Sequence, residues 1–325
     1  MIWWGLGGNV YFWVGVVGLW IVVYIFIEIK RRCKMSKFDF GCGEVLAHTH
    51  LNGGGWVADT AYVSIDAYVS SNARVYGNAQ VCENARVYDN AQVYDNARVY
   101  GNAQVCENAR VYGNAQVYDN ARVHDNAQVL GDARVFGDAQ VCGYALVCSN
   151  ARVYDNAQVY DNAQVFVDAR VFGNAQVFVD ARVFGNAQVS GNAQVFGDAR
   201  VSGDAQVFGD AQVYDNARVL GDARVSGDAR VAGDARVYDN TQVYGNAQVS
   251  GNAQVSGNAL VTKPVTVIYN LKYLIIITDN HLQAGCEQAT FSEWLSVSGK
   301  NIAKKHGENE FLKVIVGIIK LLKLV

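Results

Sequence analysis

Valine recurs at every sixth residue from Val57 to Val261 without a miss, 35 times in all. Two residues before each stands a small residue: Gly55, then Ala61, Ala67 and onward to Ala259, with Thr241 the one departure among the alanines. The unit is Ala, Arg or Gln, Val, a varied and often aromatic residue, Gly or Asp, then Asn or Asp. Val75, Tyr76, Gly77, Asn78, Ala79, Gln80 is one copy. A period of six does not fit an α-helix, where it would sweep the valines around the cylinder instead of leaving a stripe. Six is even, so an extended chain keeps Ala and Val on one side and turns Arg/Gln and the varied residue to the other. The last two residues of the unit supply a bend. Val167 and Val179 stand at the first bend position, so that position is expected not to need a positive φ. The Asn or Asp after it is expected to take any left-handed conformation. The pattern predicts short strands and bends wound into a repeat architecture with a thin, continuous Val/Ala core.

An aliphatic residue followed four places later by a small one, as in Val75 and Ala79 and every later copy, is the motif of the hexapeptide-repeat family. The chain resembles that family over about two-thirds of its length. The resemblance implies a left-handed parallel β-helix with three six-residue sides per triangular turn. The expected fold class is all-β: a left-handed parallel β-helix of about eleven coils, ~55 Å long at a strand spacing of ~4.8 Å, with an N-terminal transmembrane helix and a small C-terminal cap. The entry, Gly53-Gly54-Gly55-Trp56, and the closing stretch at residues 277–295 resemble hexapeptide-repeat, acyltransferase-like proteins encoded by bacteria and their prophages.

With eighteen residues per turn, one face carries Tyr76, Tyr94, Tyr112, Leu130, Cys148, Phe166 and Phe184. A second carries Cys82, Tyr100, Tyr118, Phe136, Tyr154 and Phe172. The third carries Tyr88, Cys106, His124, Cys142, Tyr160, Phe178 and Phe196. The rings are expected to stack from coil to coil, with Arg lying on them through cation–π contacts. Their summed area makes a candidate binding surface of Tyr76, Tyr94, Tyr112, Tyr100, Tyr118, Phe136, Tyr154, Phe172, Tyr160 and Phe178. A second copy of the chain is the first partner to consider, and a side-by-side homotrimer is consistent with the family. A glycan is a further partner, since Tyr and Asn rows suit sugars, as in a phage or prophage fibre. The Asn/Asp rows at the bends are read as structural amide ladders.

Many members of the resembled family are acyltransferases that use acyl-CoA, with a His as general base near a loop that interrupts the helix. Here the period has no insertion, so no such loop builds a pocket. His124 is the one His in the repeats; it stands where an aromatic ring usually stands and is read as a drifted ladder position, with catalysis as the alternative. His48 and His50 precede the first coil without partners at recognisable spacing. The seven cysteines, Cys33, Cys42, Cys82, Cys106, Cys142, Cys148 and Cys286, include no CxxC pair, so neither a zinc site nor a disulfide is expected. Free thiols suit a reducing compartment. His281 and Cys286 alone make no metal site.

Charge changes the picture only when read by zone. Net charge is −3, too balanced for a general nucleic-acid binder. Yet residues 57–262 hold no Lys at all and set 14 Arg against 22 Asp and Glu. The expected division is a hydrophobic membrane anchor with basic flank at 1–34, a linker and entry at 35–56, the repeat helix at 57–262, and a C-terminal strand, capping helix and amphipathic tail at 263–325. The apolar run 10–27 is long enough to span a bilayer. Lys30, Arg31 and Arg32 after it place the repeats in the cytoplasm by the positive-inside rule. If translation starts at Met35, the protein is instead soluble and cytoplasmic. Thr290-Phe291-Ser292-Glu293 predicts a capping box, with Trp294 and Leu295 folding over the open rod end. The tail at 310–325 reads either as a membrane-surface helix or as a helix docked on the rod. The function expected from all this is a non-catalytic scaffold for self-association or partner binding, without cofactor. The alternatives are an acyltransferase and a glycan-binding fibre.

Overall fold

The computed structural model describes residues 35–268, 271, 273–285, 287–305 and 309–322. Each repeat after Trp56–Ala58 contributes one two-residue strand, mostly Arg or Gln followed by Val, as in Arg152–Val153 and Gln158–Val159. Each strand pairs in parallel with the one three strands later, so Val99 lies beside Val117 and Val117 beside Val135. The turn is therefore eighteen residues, and three parallel sheets of 14, 12 and 11 strands wrap one axis, the first of them lengthened by two N-terminal strands. This is an all-β parallel solenoid of about eleven turns. From Ala67 to Val261 the inward Val and Ala are almost wholly buried and form one continuous core. Thr241, in an Ala position, is buried as well, and its hydroxyl donates to the Tyr238 carbonyl at 2.8 Å.

The bends correct one expectation. From residue 77 to residue 257 the first bend residue of every copy has a positive φ, between 56° and 75°. Val167 (φ 64°) and Val179 (φ 60°) share it. A β-branched residue in that region is strained, but the coils above and below fix the backbone there, as in the bond from the Asp168 N–H to the Gly185 carbonyl at 3.1 Å. The Asn or Asp after it stacks on its counterpart eighteen residues later instead of taking the left-handed conformation.

Both rod ends are covered. Ser36–Asp39 and Glu44–Thr49 form an antiparallel hairpin that continues onto Trp56–Ala58, so the stretch read as a linker is a three-stranded extension of the first face. Asn52 ties it to the first coils, donating from Nδ2 to the Ala67 carbonyl and accepting from the Val69 N–H. At the other end the strands Thr266–Ile268, Ile275–Ile277, His281–Ala284 and Glu287–Thr290 make an antiparallel sheet. Asn280 and Gln288 bond the backbone of the last coils at Leu260 and Ser256. The capping box forms as expected: Thr290 caps the helix Phe291–Leu295, and Glu293 reaches back to the Thr290 N–H. Trp294 is buried and donates from Nε1 to the Leu282 carbonyl at 2.7 Å, whereas Leu295 stays exposed. The helix Asn309–Leu321 buries Ile315 and Ile319 against this cap.

The transmembrane helix is withdrawn from the fold class. The run at 10–27 lies outside the described residues, and among the described residues no helix is long and apolar enough to cross a membrane. The longest of them, Asn309–Leu321, has 13 residues, about 20 Å of helix against a hydrocarbon core of about 30 Å.

Candidate functional site

Parallel pairing in an eighteen-residue register forces identical positions to stack, and the outer surface is made of such stacks. On the second face Tyr100, Tyr118, Phe136, Tyr154 and Phe172 form one unbroken column, with centroids 4.8–5.0 Å apart and planes within 2°. On the first face Phe40 of the N-terminal hairpin stacks on Tyr76, Tyr76 on Tyr94 and Tyr94 on Tyr112. The third face stacks Tyr160, Phe178, Phe196 and Tyr214. All ten residues of the sequence-derived surface sit in these columns, half-buried by their neighbours.

The partner of the rings is Gln more than Arg. The hydroxyls of Tyr76, Tyr88 and Tyr112 donate to the side-chain oxygens of Gln92, Gln104 and Gln128 at 3.0–3.3 Å. The one guanidinium over a ring among the described residues is Arg74 over Phe38, at 5.6 Å. Burial, with Tyr76 and Tyr112 on either side, pushes the Tyr94 phenol up to about 12. The phenol therefore stays protonated, able to donate its hydrogen bond, over the physiological range.

Rows of amides line the corners. Asn84 donates to Asn102, Asn102 to Asn120 and Asn120 to Asp138, at 3.5, 3.2 and 3.0 Å. Another runs from Asn78 through Asn96 and Asn114 to Asp132, at 3.3, 3.2 and 3.0 Å. Both shorten toward the carboxylate, as charge-assisted bonding predicts. Beside them lie shallow grooves such as the one bounded by Asp198, Asn216 and Asp234 on one side and Arg200, Arg218 and Arg236 on the other. Among the described residues no Arg lies within 4.0 Å of a carboxylate. The guanidinium rows thus face outward without an ion pair to a described carboxylate.

The histidines separate clearly. His50 is buried and bonds the backbone of Asn52. Burial lowers His48 and His281, and His281 bonds Asn280 at 2.8 Å; Cys286 lies outside the described residues, as does Cys33. His124 stands in the third-face column with its Nδ1 3.3 Å from an Asp125 carboxylate oxygen. Its ring is only partly covered, and no insertion loop rises beside it. His124, Asp125 and Cys142 bring their donor atoms within 4.8 Å of one another. The available signal was that Cys142 follows His124 by one turn of eighteen residues.

Comparison with known proteins gives the fold and little more. Residues 91–107, 103–116, 115–131, 193–209, 211–227 and 223–239 match a family model described as YdcK Beta solenoid repeat. No curated protein matches the chain. The matched repeats and the three-sheet architecture agree on a repeat β-solenoid protein. Neither the hexapeptide-repeat family nor the acyltransferase part of the expected resemblance has a counterpart in the match, which supports a repeat β-solenoid alone.

Proposed function

We propose that this β-solenoid is a non-catalytic scaffold whose outer ladders seat a second copy of the same chain. The observation that carries the reading is the constant period of the surface, with rings 4.8–5.0 Å apart along each column. A surface with that repeat is matched in register over many coils only by another with the same repeat, and a second copy has it by construction. The outward charges support the same reading. Arg182, Arg200, Arg218 and Arg236 stack in one row of the first face, and Asp198 and Asp234 line the other side of the shallow groove beside it. Two copies can set guanidinium against carboxylate at ion-pair distance, a pairing that is absent among the described residues of one chain. Such pairs steer and register an interface more than they strengthen it.

The test is multi-angle light scattering of the full chain over a hundredfold range of concentration. A mass that rises with concentration to a fixed multiple of the chain, and falls in Arg200→Glu/Arg218→Glu, is the expected result. A monomer at every concentration overturns the proposal.

A further inference from the structure

We propose that His124, Asp125 and Cys142 form a binding site for one divalent transition metal of the zinc class. The argument begins with composition in the third-face column. Tyr88 and Tyr160 bound three consecutive coils in which the ring is replaced by Cys106, His124 and Cys142. The one His of the repeats is therefore flanked by two of the four repeat cysteines. The coil that supplies Cys142 departs from the repeat again at Tyr144, which replaces Asn/Asp and is 68% exposed, and at Leu146, which replaces Arg/Gln.

Backbone register brings the donors together. The His124 N–H donates to the Val141 carbonyl at 3.0 Å and the Asn126 N–H to the Gly143 carbonyl at 2.8 Å. These bonds lock the coil bearing His124 and Asp125 onto the coil bearing Cys142. His124 Nδ1 lies 3.3 Å from Asp125 Oδ2, and all three donor atoms fall within 4.8 Å. Bond lengths of about 2.0–2.3 Å put the donors of a tetrahedral zinc about 3.5 Å apart. Small side-chain rotations close that difference without moving the backbone. The Gly143 N–H donates to Asp125 Oδ2 at 2.8 Å and orients the carboxylate, as second-shell donors do at metal sites.

Cys106 is excluded as a fourth ligand. It lies two coils, roughly 9.6 Å, from Cys142, whereas two zinc–sulfur bonds span at most about 4.6 Å. The site thus supplies an imidazole, a carboxylate and a thiolate and leaves one position to water. Electrostatics favour a dication there. Glu107 stands one turn before Asp125, on the neighbouring coil tied to it by the bond from the Asn108 N–H to the Asp125 carbonyl at 2.8 Å, and adds a second carboxylate beside the site. The Cys142 proton leaves to solvent as the metal–sulfur bond forms.

The experiment titrates the reduced full-length protein with Co²⁺ and reads the thiolate-to-cobalt charge-transfer band. One equivalent is expected to produce the band. Cys142→Ser should abolish it, and Cys106→Ser and Cys148→Ser should keep it. His124→Tyr restores the usual residue of the column and so preserves the fold; it should weaken binding at least tenfold. In parallel, Zn²⁺ should slow alkylation of Cys142, read by peptide mass spectrometry, without slowing that of Cys82. A native protein with no band, a band retained in Cys142→Ser, or equal alkylation of Cys142 with and without Zn²⁺ overturns the proposal.

Discussion

Val153→Ala removes two methyl groups from the middle of the rod. Val153 is fully buried, with Val135 on the coil before it and Val171 on the coil after it. Two buried carbons lose about 1.6 kcal/mol of transfer energy, at about 0.8 kcal/mol each. A residual cavity of roughly 50 Å³ adds about 1 kcal/mol, because neighbouring coils are held by their own ladders and cannot collapse into it. The expected loss is therefore about 2–3 kcal/mol. Arg152, its companion in the same two-residue strand, points to solvent, and Arg152→Ala should change stability by no more than about 0.5 kcal/mol. Long repeat arrays do not unfold in one step, so the assay is hydrogen exchange of the peptide covering residues 150–156 in graded urea. If Arg152→Ala costs more than Val153→Ala, the strand faces the other way. That result would refute the assignment of the core.

Other positions make independent tests. Gly191 has φ 68°, and a Cβ there would lie 2.8 Å from the Gly209 nitrogen; Gly191→Val should cost at least about 1–2 kcal/mol, read as a lowered Tm. Val167→Asn should instead stabilise by up to about 1 kcal/mol, since Asn tolerates the left-handed region better than a β-branched residue. Trp294→Ala should cost about 3–5 kcal/mol of cap stability and expose the last coil, read as end-to-end growth in light scattering; an unchanged mass and melt would count against the capping role. Hydrogen bonds from the Gly41 and Gly43 N–H groups hold Asp39 below its usual range, and bonds from Thr290 do the same for Glu293. A folded pKa below the unfolded one gives stability that is present at neutral pH and lost as pH falls through the carboxylate range into the lowered folded values. Tryptophan fluorescence should report both caps loosening there, and Asp39→Asn/Glu293→Gln should flatten the response; an already flat native profile would contradict this.

The rod was legible because its period is even and unbroken: Ala and Val at fixed offsets leave one inward face, and eighteen-residue stacking then follows for every outer residue. The capping box at Thr290 was legible for the same local reason. The sense of the bend was not. Val167 suggested an ordinary backbone, yet the pairing of adjacent coils overrides the preference of a single residue. The hairpin at 36–49 hid because two strands of four and six residues carry too little alternation to stand out. The partnership of Tyr76 with Gln92 needed the register, since the pair is sixteen residues apart. The grouping of His124, Asp125 and Cys142 is not legible as a spacing along the chain, because the coil supplies it across the chain.

The columns, the amide rows and the three-ligand cluster all depend on the eighteen-residue turn, so disulfide trapping of that turn is the most direct test. Ser190 and Phe208 flank paired valines on adjacent coils, Val189 beside Val207. Cysteines placed at both should sit at the ~5 Å strand spacing, within disulfide reach. The account predicts that Ser190→Cys/Phe208→Cys forms a bridge under mild oxidation, mapped by mass spectrometry. It predicts none for Ser190→Cys/Ser202→Cys, which is closer in sequence but lies on a different face. A bridge in the second pair and none in the first would contradict it.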